Sequence, residues 1–166
     1  NEDYEYLNSL LENTVTEKVY DSMYHLLFSV VYKFCLIYHD KLKVINKERA
    51  DIKKSFRKSV KNTDIYKLLN IEQGLTYLST SLKANRLALN TLKRHWNVNI
   101  KKLSEVEEEK LEDVMIEIDQ AMEMTEIITT IAEKEKTTYS TVIDNNLNTT
   151  MKFLTVFTIL LEIPSM

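Results

Sequence analysis

One glycine and one proline in 166 residues leave this chain almost no means of turning tightly. Average proteins use several times more of each. The scarcity excludes hairpin-rich and loop-rich folds and predicts long helices with few connections. The single cysteine, Cys35, excludes an internal disulfide. It lies in an apolar helical run, reads as a small core residue, and fits a reducing compartment. Catalytic groups are missing as well. There is no Gly-rich phosphate loop and no nucleophile motif. His25, His39 and His95 lack metal-site spacing with one another or with Cys35. His39 and Asp40 are neighbours in sequence only, because adjacent residues diverge on a helix. The Glu-x-x-His motifs of carboxylate-bridged metal enzymes in helical bundles are also absent. No enzyme is expected. Twenty-two Lys and Arg stand against 25 Asp and Glu, a net charge of −3, which argues against a nucleic-acid partner. A signal peptide is lacking, and the opening Asn1-Glu2-Asp3 reads as the middle of a longer protein.

What is present is helical periodicity. Tyr4, Leu7, Leu10 and Leu11 predict a short amphipathic helix over 3–12, ended by Asn13-Thr14. A second helix is expected from a Thr16 cap to about Ser59. Its first half is apolar over a wide arc, so it should pack on more than one side. Its second half turns basic. Lys61-Asn62-Thr63-Asp64 reads as a turn, with Thr63 or Asp64 capping a third helix over 64–94. Gly74 inside that helix suggests a close helix–helix contact. Asn97 and Asn99 mark a second connection, over 95–102. Ser104, with Glu107 three residues on, forms a capping-box signal for the last helix. That helix has no breaker before Pro164 and is expected to run for roughly 60 residues, about 90 Å at 1.5 Å per residue. Its stripe is Leu111, Met115, Ile118, Met122, Thr125, Ile128 and Ala132. The fold class is therefore all-α: long antiparallel helices, up-down-up, with a very long C-terminal stalk.

Two stretches of the last helix carry chemistry. From Glu105 to Glu126 there are ten carboxylates and one cation, Lys110. Glu109, Asp113 and Glu117 recur at i, i+4 and i+8, flanked by Glu112 and Asp119. Like charges at that spacing destabilise a helix, and oxygen-rich clusters suit hard cations such as Mg2+. A solvated acidic face, or one paired with the basic half of the second helix, explains the same pattern. From Met151 to Met166 the only charges are Lys152 and Glu162. A membrane span needs about 20 apolar residues, so this run is either a cut span or a buried core helix.

The segment Asn145-Asn146-Leu147-Asn148-Thr149-Thr150-Met151-Lys152-Phe153-Leu154-Thr155, with the apolar run to Ile163-Pro164, resembles the start of the first transmembrane helix of CorA-type magnesium transporters. Leu111-Glu112-Asp113-Val114 and Gln120-Ala121-Met122-Glu123-Met124 are similar to the stalk helix of that family, and Leu82-Lys83-Ala84-Asn85 fits the helix before it. The resemblance covers essentially the whole chain. It implies three parts: a short helix and helical hairpin over 1–103, a stalk over 104–150, and the beginning of the pore helix over 151–166. It implies self-association as a homopentamer in the full-length protein, residence in the cell membrane with most of this chain cytoplasmic, and Mg2+ as the regulatory and transported ion, with Co2+, Ni2+ or Zn2+ as alternatives. The family's N-terminal α/β region, its Gly-Met-Asn filter and its second span are absent from this sequence, so the chain by itself is not expected to conduct.

By resemblance, Asn148, Met151, Leu154, Thr158 and Glu162 match the pore stripe, with Glu162 standing where relatives are usually apolar. Asp113 matches the stalk aspartate that holds regulatory Mg2+ between subunits, with Glu109, Glu112 and Glu117 as helpers. The hairpin tip is basic here (Lys53, Lys54, Arg57, Lys58 and Lys61), and faces membrane lipid if the hairpin hangs toward the inner leaflet. The other reading is a helical-bundle interaction protein without a transport role, with the basic residues as a solubilising face.

Overall fold

A computed structural model describes residues 2–17, 22–98 and 103–162. The described residues form four helices and no strand: α1 Glu2–Glu17, α2 Met23–Lys58, α3 Asn62–Val98 and α4 Glu105–Glu162. The last is one helix of 58 residues, as the absence of breakers predicts.

The helix ends follow local hydrogen bonding. Ser22 caps α2: its hydroxyl accepts from the His25 N–H at 3.1 Å, and its carbonyl accepts from the Leu26 N–H at 3.2 Å. The capping box of α4 forms as expected. The Ser104 hydroxyl accepts from the Glu107 N–H at 3.3 Å, and the Glu107 carboxylate accepts from the Ser104 N–H at 2.7 Å. Glu107 also takes a short hydrogen bond from the Ser22 hydroxyl. That bond first, and the Ser104 N–H second, hold the Glu107 carboxyl below the ordinary glutamate value.

Four local expectations are corrected. Asn13-Thr14 does not end a helix, because α1 runs through to Glu17, and the Thr16 hydroxyl bonds back to the Glu12 carbonyl at 2.8 Å instead of capping α2. Asn97 lies inside α3, which extends to Val98, so the second connection is shorter than predicted; Asn99 lies outside the described residues. Thr63 and Asp64 fall within the first turn of α3, whose start is closed by the Asp64 N–H on the Lys61 carbonyl at 3.1 Å. Gly74 makes no close helix contact, since a methyl placed on it would meet nothing within 4 Å.

Contacts divide the chain into two compact units, residues 1–44 with 76–127 and residues 45–75 with 128–166. In the first, Phe28, Cys35 and Leu42 of α2 are buried, with Leu82, Leu89 and Trp96 of α3 and Leu111, Val114, Ile118 and Ala121 of α4. Each of the Phe, Leu, Ile and Val side chains among them contributes about 1.5–3 kcal/mol by leaving water. Burial pushes the Cys35 thiol up to about 11, with Glu117 adding to the rise, so it stays protonated at neutral pH and behaves as core. Trp96 meets Tyr24 and Phe28 edge-on, with ring centroids 4.9 and 5.6 Å apart. Ser22 to Glu107 and His39 to Glu117 run α2 parallel to α4. Lys93 to Glu112 and Arg86 to Asp119 run α3 antiparallel to it.

In the second unit, Ile52 and Phe56 pack with Leu68, Ile71 and Leu75 and with Ile128, Ala132 and Tyr139. Phe56 and Tyr139 stack at 3.7 Å with planes 8° apart. Arg49 to Glu135 and Phe56 to Tyr139 again set α2 parallel to α4.

Buried positions on α4 are 111, 114, 118, 121, 125, 128, 132, 135 and 139, alternating steps of three and four. This is heptad spacing, the period of helices that meet along a seam. Val114 and Ala121 are fully buried in it, in place of the predicted Met115 and Met122, which are only half-buried. Thr125 belongs to the seam because its hydroxyl is satisfied by the Ala121 carbonyl at 2.7 Å.

Candidate functional site

The first half of α4 carries its acids on positions that the seam leaves outward, and three of them pair with α2 or α3. Arg86 grips Asp119 with two nitrogens, at 2.6 and 2.8 Å, and its third reaches Asn90 at 2.8 Å. Lys93 lies 3.2 Å from Glu112. His39 Nε2 lies 3.0 Å from Glu117, although the ring N–H is not aimed along that line. The acids therefore pair with α3 and with His39, rather than with the basic second half of α2. These arrangements offset the like-charge repulsion that the spacing imposes.

Asp113 differs from them. Its side chain is 45% exposed, and among the described residues its one ion pair is Lys110, a turn earlier on the same helix, at 3.7 Å. A contact of that length between exposed groups is weak. Glu109 is exposed one turn before it. Glu112 and Glu117 are engaged with α3 and α2 respectively, so the structure does not gather the four predicted carboxylates into a cage. Among the described residues no group of three or more His, Cys, Asp or Glu side chains converges on a point that could hold a metal ion.

The pore-stripe residues lie on the last turns of α4. Every residue from Asp144 to Glu162 is exposed, including Met151, Phe153, Leu154, Val156, Phe157, Ile159, Leu160 and Leu161. The described part of the run, 151–162, is therefore not covered by any of the described residues. Asn148, Met151, Leu154, Thr158 and Glu162 fall on one side of the unbroken helix. The threonines turn their hydroxyls inward. Thr149, Thr150, Thr155 and Thr158 donate to the carbonyls of Asn145, Asn146, Met151 and Leu154 at 2.8–2.9 Å. Each thus shows its methyl outward and leaves no hydroxyl unpaired, which suits an apolar environment. Among the described residues no helix is long and apolar enough to cross a membrane.

The basic tip closes α2. Lys53 shares Glu135 with Arg49, at 3.2 Å, and Lys54 pairs with Asp51 at 3.1 Å. Arg57, Lys58 and Lys61 are exposed, and none has an ion pair among the described residues. The buried pair Arg49–Glu135, at 2.8 Å, was not foreseen. Arg49 is one of eight cations between Lys41 and Lys58 of α2, and only the heptad position of Glu135 singles it out.

The chain matches the model of the CorA-like Mg2+ transporter protein family over residues 1–166, its whole length, and belongs to that family. Members of this family are transporters, not enzymes. No curated protein and no solved structure matches the chain.

Proposed function

We propose that this chain is the cytoplasmic helical part of a CorA-type Mg2+ transporter and that α4 is the stalk leading into its pore. The carrying observation is α4 itself: a single helix, packed along a heptad seam as far as Tyr139 and exposed on every side from Asp144 to Glu162. A helix that keeps its hydroxyls bonded to itself while showing apolar side chains all round is suited to neighbours that are absent here, namely lipid and other copies of the same helix. In such an assembly of five, Asn148 offers an amide oxygen to a hydrated ion, Met151 and Leu154 form apolar rings that gate by dewetting, and Thr158 and Glu162 continue the stripe. The cargo is Mg2+, with Co2+, Ni2+ or Zn2+ as the alternatives.

Asp113 supplies the regulation. It is half-exposed and only weakly held by Lys110, so its carboxylate is available to an ion shared with a neighbouring subunit. Mg2+ keeps most of its waters and takes one or two carboxylates, which one outward Asp from each side provides. With Mg2+ bound, adjacent stalks are bridged and the closed state is favoured. When internal Mg2+ falls, the carboxylates repel, by about 1 kcal/mol per pair at 4 Å in water and about 4 at an effective dielectric of 20. Asp113→Asn removes the charge and leaves the packing intact. The internal Mg2+ needed to halve uptake by the complete transporter should rise roughly fivefold or more, the equivalent of about 1 kcal/mol. Unchanged inhibition in flux measurements across an Mg2+ titration would refute the assignment.

A further inference from the structure

The tip of the α2–α3 hairpin is set apart by its charge and by the direction in which it points. Between residues 53 and 67 there are six Lys or Arg and one acid, Asp64. Asp64 is only 1% exposed, so it does little to neutralise the surface. Lys53 and Lys54 are occupied by Glu135 and Asp51, whereas Arg57, Lys58 and Lys61 present their charges to solvent. Val60, between the last two, is 40% exposed, and Tyr66 on the next turn is 67% exposed. Cations surrounding an exposed aliphatic and a tyrosine match the composition of surfaces that sit at a lipid interface.

Direction supplies the second observation. In this unit α2 and α4 run parallel, with Arg49 on Glu135 and Phe56 stacked on Tyr139. The tip therefore lies on the side toward which α4 continues into its exposed apolar run. Met151 is twelve residues beyond Tyr139, about 18 Å at 1.5 Å per residue. Lys58 stands two residues beyond Phe56 on α2, about 3 Å, which leaves roughly 15 Å to the level of Met151, well within the Debye length of about 30 Å at 0.01 M salt. Headgroups extend some 5 Å or more outside the hydrocarbon and shorten that gap.

We propose that the hairpin tip, through Arg57, Lys58 and Lys61 with Val60 and Tyr66, docks on the anionic lipid headgroups of the membrane that the last turns of α4 enter. The geometry rests on the reading of α4 given above, and the test separates the two. The tip then acts as a second foothold for the chain, coupling the position of α2 and α3 to the lipid surface.

Flotation of the 166-residue chain with vesicles reads both contacts. Neutral phosphatidylcholine vesicles report the apolar end of α4. The gain on adding phosphatidylserine reports the tip. Each unpaired cation is expected to raise binding about fivefold at low salt, so three give roughly a hundredfold, falling steeply as salt is added. The triple variant Arg57→Gln, Lys58→Gln and Lys61→Gln should lose most of that gain and keep its binding to neutral vesicles. A control with Lys41→Gln, Lys47→Gln and Lys83→Gln, all exposed and away from the tip, removes equal charge and should keep the gain. Circular dichroism melting confirms that both variants fold. A gain on anionic vesicles without any binding to neutral ones supports the tip and counts against insertion of α4. Absence of a gain, or a gain that survives in the tip variant, overturns the proposal. So does a fall in sedimenting mass of the tip variant without lipid, which would assign the tip to the acids of a second copy.

Discussion

Arg49→Ala should unfold the second unit more readily than any single truncation of an exposed charge. Arg49 and Glu135 are 11% and 10% exposed and lie 2.8 Å apart. Two further bonds from Arg49, at 3.1 and 3.0 Å to the Asn46 side chain, fix the guanidinium plane. Removing the arginine leaves a carboxylate inside the seam, and breaking a buried pair from one side costs about 3–5 kcal/mol. Lys53 lies 3.2 Å from the same carboxylate and compensates in part, so the low end, about 3 kcal/mol, is expected. Urea denaturation of the variant reads this directly. Arg49→Met with Glu135→Met replaces both charges by apolar groups and should restore most of the stability, because the pair is costly to desolvate. A double variant as weak as the single one would show that the pair itself, not the orphaned charge, holds the unit.

Trp96→Ala should have a comparable effect in the first unit. Trp96 is 8% exposed and contacts Tyr24 and Phe28 of α2 edge-on. Truncating a buried tryptophan costs about 3–5 kcal/mol, and aromatic pairs of this geometry contribute about 0.5–1.5 kcal/mol beyond area. Because Trp96 is the only tryptophan, wild-type fluorescence reports this corner of α3 alone. The variant is followed by circular dichroism in urea. A loss under about 1 kcal/mol would mean that the start of α2 is held mainly by the Ser22–Glu107 contact.

The long helices were legible because their logic is compositional. Without glycine or proline, 58 residues of α4 have nothing to interrupt them, and the Ser104–Glu107 box states its start in four letters. The breaks at Asn13-Thr14 and Asn97 were misread for one physical reason: asparagine and threonine disfavour a helix by well under 1 kcal/mol each, too little on their own to end one. Thr16 shows how the cost is met, with its hydroxyl returned to the Glu12 carbonyl. Side-chain size explains the seam error. Both stripes share Leu111, Ile118 and Thr125, seven residues apart, so their period is the same; the longer side chains of Met115 and Met122 drew the reading one position on, whereas packing buries the smaller Val114 and Ala121. Trp96 was hidden in a segment read as a connection. The acids of α4 were legible as a cluster, but their division among Arg86, Lys93 and His39 depends on which faces of α2 and α3 meet α4, and that is a property of the packed helices.

The measurement closest to the central claim is a cysteine scan of residues 148–162 in the complete transporter, with each variant treated by a soluble thiol reagent during Mg2+ uptake. Within this chain Cys35 is buried with its thiol pushed up to about 11, so it adds no background; any other cysteine of the complete transporter is first replaced by serine. If α4 lines the pore, block should recur at Asn148, Met151, Leu154 and Thr158, following one helical face, and fall away at Phe153 and Phe157. Block at every position alike, or at none, would contradict a pore-lining α4.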